Sequence, residues 1–315
     1  MHVLVYLPLL IPAVAAAAAR PLGARLEPSQ ATWLLTAATV ALAACSTAAL
    51  GLLAVSAAAR APVLALLGDY SQQVLRRGDP VSAVIGISAA VLLTGAAVAV
   101  AVLARRRARA LAESYRRAAR MHTGDDVVVV PGPAIEAYAL PGWPGQIVVS
   151  GRLLATLDDR ARAALLAHER AHLSSRHYLF TTVAHLAAAA NPLLLPLART
   201  VDYTVERWAD EHAAAVTGDR RLVAATIGRV ALLATGRTRR MAAGLPGITG
   251  PLSRRVSLAW SGPVPRRVAA LLAPPPRRHT ALLVAAVLLI ALAGASALQA
   301  ARDLHALLEL AQSGY

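Results

Sequence analysis

The sequence predicts a mainly α membrane protein, with about four transmembrane helices and a small α+β domain inserted between the third and the fourth. Three observations predict it. Of the 315 residues, 57% are hydrophobic, above the usual apolar share of a soluble protein. Many of these residues gather into runs of roughly 20, the length a helix needs to cross a bilayer. From Asp125 to Arg176 the pattern changes to short β-type runs parted by Pro-Gly turns, followed by a helix.

Charge agrees with this class. The formal net charge is +15, and arginine supplies every basic residue apart from histidine. In so apolar a chain, loops obeying the positive-inside bias explain the excess better than nucleic acid does, so no direct nucleic-acid partner is expected. Cys45 is the sole cysteine, which excludes an intrachain disulfide and a cysteine-based zinc site.

Taken in order, Val3 to Ala19 is apolar and at the short end for a span. Basic residues follow it, at Arg20 and Arg25, and none precedes it. That is the wrong polarity for a signal peptide and the right one for a first helix entering from outside. Ala31 to Ala59 is a second span, and Val81 to Ala104 a third. Seven arginines from Arg105 to Arg120 against Glu113 then give 7 − 1 = +6 in sixteen residues. This cluster predicts that the end of the third span is cytoplasmic and the N-terminus outside.

Val127 to Val130, Ile135 to Leu140 and Gln146 to Ser150 read as three strands of a small sheet. Gly151 ends it. Thr156 with Asp159 resembles a helix N-cap pair, and the helix that follows should run to about Arg176. Tyr178 to Ala198 reads as a hydrophobic hairpin or re-entrant helix pair broken at Asn191-Pro192. Val201 to Val216 and Leu222 to Ala234 are further helices, and Arg266 to Ala273 a short one. Thr235 to Pro265 reads as a loop, and Ala281 to Ala301 as the last span.

The chemistry concentrates at His168-Glu169-Arg170-Ala171-His172. Histidines four apart stack on one helix face and can grip one metal ion together. Glu169 sits beside that ion as a general base toward a zinc-activated water, the geometry of a zinc hydrolase. A catalytic zinc takes three protein ligands and a water, so a third ligand is needed downstream. Glu206 supplies it. Asp210, one turn on, can reach a liganding histidine's other ring nitrogen and fix its tautomer. His177 reads as a helix-end group or a partner of the ligands, His185 as a satisfied polar residue, and Trp143 and Trp208 as packing residues. Tyr203, Arg207 and His212 are unranked candidates to stabilise the oxyanion. Ile135 to Leu140 or Gln146 to Ser150 offers a strand edge on which an extended substrate could pair.

These residues look familiar. Glu136-Ala137-Tyr138-Ala139, the Gln146 to Ser150 strand, His168-Glu169-x-x-His172 and Glu206-x-x-x-Asp210 resemble the integral-membrane gluzincin peptidases. Two branches compete. The order of spans and Asn191-Pro192-Leu193 are similar to the BlaR/MecR signal-transducing type. Glu136 to Ala139 and the Ala209-Asp210 pair look more like the HtpX and CAAX-prenyl-protease type. The first branch carries a penicillin-binding sensor after its last span, whereas only Arg302 to Tyr315 follow here, so no such sensor is expected.

The resemblance implies a zincin-like metallopeptidase domain at residues 105–279. An N-terminal membrane domain at 1–104 would precede it, and a last helix with a short tail at 280–315 would follow. It implies a multi-pass protein of the cell membrane, a cytoplasmic active site and Zn2+ as cofactor. Its partners would be the lipid bilayer and a protein or peptide substrate, a transcriptional repressor among the candidates. The alternative is a non-catalytic membrane receptor or scaffold with a structural zinc site.

Overall fold

The computed structural model describes residues 6–58, 83–121, 125–143, 145–242, 264–275 and scattered positions between 284 and 309. Three long helices come first: α1 (Leu7–Arg25), α2 (Pro28–Ala58) and α3 (Ala83–Met121). All three are long and apolar enough to cross a membrane. Pro8 sits in the first turn of α1, where the N–H that proline lacks would go unpaired anyway. The third apolar run and the basic segment after it form one unbroken helix. Val84, Ile87, Val91 and Leu92 of its apolar half are exposed, as residues facing lipid tails would be.

The three expected strands form: β1 (Val127–Val130), β2 (Ala137–Leu140) and β3 (Gln146–Ser150). Their order is β1-β3-β2, with β1 parallel and β2 antiparallel to β3. Being central, β3 is buried at every residue. It is paired on both sides and so cannot be the open edge that Gln146 to Ser150 was expected to offer. Of the two strands considered for that role, β2 is the edge strand.

Two local readings are corrected. Gly151 does not simply close the sheet; it begins α4 (Gly151–Thr156), capped by Ser150, whose Oγ accepts from the Leu153 N–H at 3.3 Å. The N-cap of α5 (Asp159–Ser174) is Asp158, not Thr156: its Oδ1 accepts from the Ala161 N–H at 2.8 Å. Thr156 instead donates to the Leu153 carbonyl within α4.

α6 (His177–Ala190) enters through Arg176 in the left-handed region, φ 49°. It stops at Asn191, and a 3-10 turn over Pro192–Leu194 leads into α7 (Leu195–Thr217). The expected hairpin and the separate helix from Val201 are therefore one helical pair. Pro196 falls in the first turn of α7 and nothing breaks the chain afterwards. α7 ends at Gly218, φ 68°, the left-handed cap that glycine adopts without a steric penalty. α8 (Arg220–Ala242) and α9 (Val264–Leu272) complete the described elements.

Two cores position the site. Ile147, Val149, Leu153, Leu157 and Leu165 fasten α5 to the sheet. A second cluster joins α1, α2, α6 and α7 through Ile11, Leu35, Leu42, Phe180, Leu197 and Val205. Ala293 belongs to it, a helical residue of the expected last span, much of which lies outside the described residues.

Candidate metal centre

α5 and α7 cross so that the two histidines of one face Glu206 of the other. His168 Nε2 and His172 Nε2 stand 3.1 Å apart. Glu206 Oε2 lies 3.7 Å from the first, and Oε1 lies 3.6 Å from the second. Ligands held tetrahedrally at zinc distances are about 3.3–3.5 Å from one another. The three donors thus already stand near the corners of a metal's coordination shell.

The chemistry of the donors fits a cation as well. His168 Nδ1 faces Asp210 Oδ1 at 3.0 Å, which places its proton there and leaves the Nε2 lone pair free. His172 Nδ1 faces His177 Nδ1 at 3.0 Å, and with His172 as the donor of that contact its Nε2 lone pair is free as well. Two lone pairs then point at one spot, which only a positive centre between them makes favourable. Charge agrees: Glu169, Glu206 and Asp210 are all buried, against one buried guanidinium, Arg267, beside them. Fully ionised, that is 3 − 1, two excess negative charges, matched by a divalent ion.

The titration of the group reflects the same excess. Burial, reinforced by Asp210 and Glu169, pushes Glu206 up to about 7, although Arg267 and His168 pull the other way. Burial also raises Glu169, partly offset by His168 and by the Ala139 N–H that its carboxylate accepts. A raised carboxylate is suited to proton transfer near neutral pH. Burial and the neighbouring His168 hold His172 well below the usual histidine range, hence neutral. Burial opposes protonation of His168 too, but the Asp210 carboxylate outweighs it and the net direction is upward.

All five residues expected at the site, His168, Glu169, His172, Glu206 and Asp210, come together. His177 packs where it was expected, under His172 and against the Trp208 ring, centroids 4.8 Å apart. His185 is paired with Asp202 at 2.9 Å. Trp143 departs from its expected packing role, being 87% exposed. Of the oxyanion candidates, Arg207 is committed elsewhere: its Nη1 donates to the Gly23 and Ala24 carbonyls at the end of α1.

Arg267 is the residue the sequence reading missed. It is 0% exposed, donates to both carboxylate oxygens of Asp210 at 2.8 and 2.5 Å, and lies 2.8 Å from Glu206 Oε2. The available signal was its place in the apolar stripe of α9, among Val264, Val268 and Leu271. A charge in such a stripe needs a buried partner.

Residues 101–189 match the family model described as peptidase family M48. The matched stretch holds the His168 to His172 motif and stops short of Glu206 and Asp210. It supports a metallopeptidase of the HtpX and CAAX-prenyl-protease type, a metal-dependent class that typically uses zinc. No curated protein and no solved structure matches the chain.

Proposed function

We propose that the chain is a multi-pass membrane zinc endopeptidase, with its catalytic face toward the cytoplasm. The observation that carries this reading is the spacing of His168, His172 and Glu206 around one point, with Glu169 beside it. Those three residues would hold the ion, and Asp210, braced by Arg267, would orient His168. Bound zinc supplies a Lewis acid for the peptide carbonyl and lowers the pKa of a water toward about 7. Glu169 takes the proton of the attacking water and delivers it to the leaving amine. The open edge of β2, whose Ala139 N–H reaches Glu169, would align an extended substrate.

Four spans carry the domain in this reading, with residues 105–279 as the peptidase between the third and the fourth. The arginines from Arg105 onward set the orientation. A cytoplasmic site suits regulatory cleavage of a transcriptional repressor, or quality control of membrane proteins.

The test is metal analysis of the full chain in detergent, with cleavage of fluorescent casein measured beside it. About one zinc per chain is expected in wild type and in Glu169→Gln alike. Cleavage should fall about 10²- to 10⁴-fold in the variant. A wild-type chain without zinc, or Glu169→Gln cutting at the wild-type rate, would sink the proposal.

A further inference from the structure

The α6–α7 hairpin packs along α1 and α2, and its depth can be counted from contacts at both ends. A Cβ on Gly86 of α3 would collide with Ala57 of α2, so these two residues share a level. Arg105 comes nineteen residues after Gly86, about 28 Å along the helix. That is close to the roughly 30 Å of a bilayer's hydrocarbon. Ser46 lies eleven residues from Ala57 along α2, about 16 Å. The Asn191 Nδ2 donates to Ser46 Oγ at 3.0 Å. By this route the hairpin tip sits about 12 Å inside the level of Arg105.

The opposite end gives an independent count. Tyr178, in the first turn of α6, lines the same cavity as Tyr115 of α3, ten residues and about 15 Å beyond Arg105. Thirteen residues of α6 then climb about 20 Å to Asn191, leaving the tip about 5 Å inside. The two counts bracket one answer.

We infer that α6 and the first turns of α7 form a re-entrant hairpin that enters the hydrocarbon from the arginine side and turns back without reaching the far face. This rests on α2 and α3 crossing the membrane and not on the peptidase chemistry. The tip is built for a medium without water, where every backbone polar group needs an internal partner. Asn191 Oδ1 accepts from the Leu193 N–H at 3.1 Å, and the Asn191 carbonyl accepts from Leu194 N–H. Ser46 Oγ also faces the Pro8 and Leu42 carbonyls at 2.8 and 2.7 Å. Leu193, at 51% exposure, is left to face lipid. The exposed Arg199 and the paired His185 and Asp202 fall about 7–12 Å back from the tip. That is the interface, where charged heads reach water.

Depth-dependent quenching tests this in proteoliposomes of the full chain carrying Cys45→Ala. Single cysteines at Leu193, Val98 and Val216 receive an environment-sensitive fluorophore. Val98 is an exposed α3 residue about 10 Å inside Arg105, and Val216 is exposed near the end of α7. Lipids brominated on the acyl chains should quench Leu193 within about twofold of Val98. Aqueous iodide should quench Val216 alone. Iodide quenching of Leu193 to the extent of Val216 would put the hairpin outside the bilayer. Labelling of Leu193→Cys by an impermeant maleimide from the side opposite the arginines would make it a full crossing. Either result overturns the inference. The unmodified chain gives a second readout, in which acyl-diazirine lipids should cross-link to peptides covering 183–195. Adducts on 91–102 without any on 183–195 would also overturn it. None of these readouts depends on zinc or cleavage.

Discussion

Arg267 ties together two buried carboxylates, those of Asp210 and Glu206. Removing it leaves Asp210 and Glu206 buried without their guanidinium, and breaking a buried pair in this way costs about 3–5 kcal/mol. Arg267→Met should therefore lower the thermal midpoint sharply, and more in chelated protein than in zinc-loaded protein, because the ion supplies part of the missing charge. Calorimetry with and without chelator reads both terms. The ligand roles predict a different contrast. Glu206→Ala should lose the metal, whereas Asp210→Ala should weaken binding about 10- to 100-fold, the usual effect of removing a partner of a liganding histidine. Competition with a chromophoric chelator separates the two.

Glu206 also sets a pH dependence. Its folded pKa, about 7 without metal, lies above that of an unfolded glutamate near 4.3. Between those values the folded chain holds a proton that the unfolded chain has released, so stability falls as pH rises. Chelated protein should lose stability from about pH 4.5 to pH 7, and Glu206→Gln should flatten that slope. Melting curves across the range decide it. At this scale the motif was legible because histidines four apart on a helix have one geometric outcome. Arg267 was not, because its partners lie on α7, more than fifty residues away in the chain.

Elements were legible where a pattern ran long enough to repeat. The first three apolar runs, the three strands and the break at Asn191-Pro192 all formed as expected among the described residues, since length, alternation and proline each act locally. Caps were harder, because Thr156 and Asp158 both suit an N-cap by residue type, and the choice turns on which turn the chain closes first. Thr156 is consumed by α4, an element too short to show a period. Asp158 then caps the helix that carries His168 and His172. Asp158→Ala should cost about 1 kcal/mol, typical for an N-cap, with zinc content unchanged. A chemical-denaturation midpoint beside a metal assay measures it. Loss of zinc in folded Asp158→Ala would mean that the cap tunes the site and not only the helix.

Across the whole molecule the first two long helices and the helix that carries Glu206 share one core. Arg207, one residue from the proposed ligand Glu206, holds the last carbonyls of α1, and Thr32 of α2 hydrogen-bonds Thr204 of α7. Gly23 of α1 lies so close to α7 that any Cβ there would run into Thr200 and Thr204. A side chain at Gly23 must therefore push α1 away from the very turns that carry Glu206. The lost contact would show as weaker zinc binding and slower casein cleavage, although residue 23 touches neither metal nor substrate. Gly51 of α2 is the matched control, since nothing stands within 4 Å of a Cβ there. Gly23→Leu should reduce both zinc affinity and cleavage, while Gly51→Leu leaves both at the wild-type level. Equal effects from the two substitutions would mean that α1 is an anchor alone. A selective loss at Gly23 would mean that the first membrane helix is part of the scaffold on which the metal ligands stand.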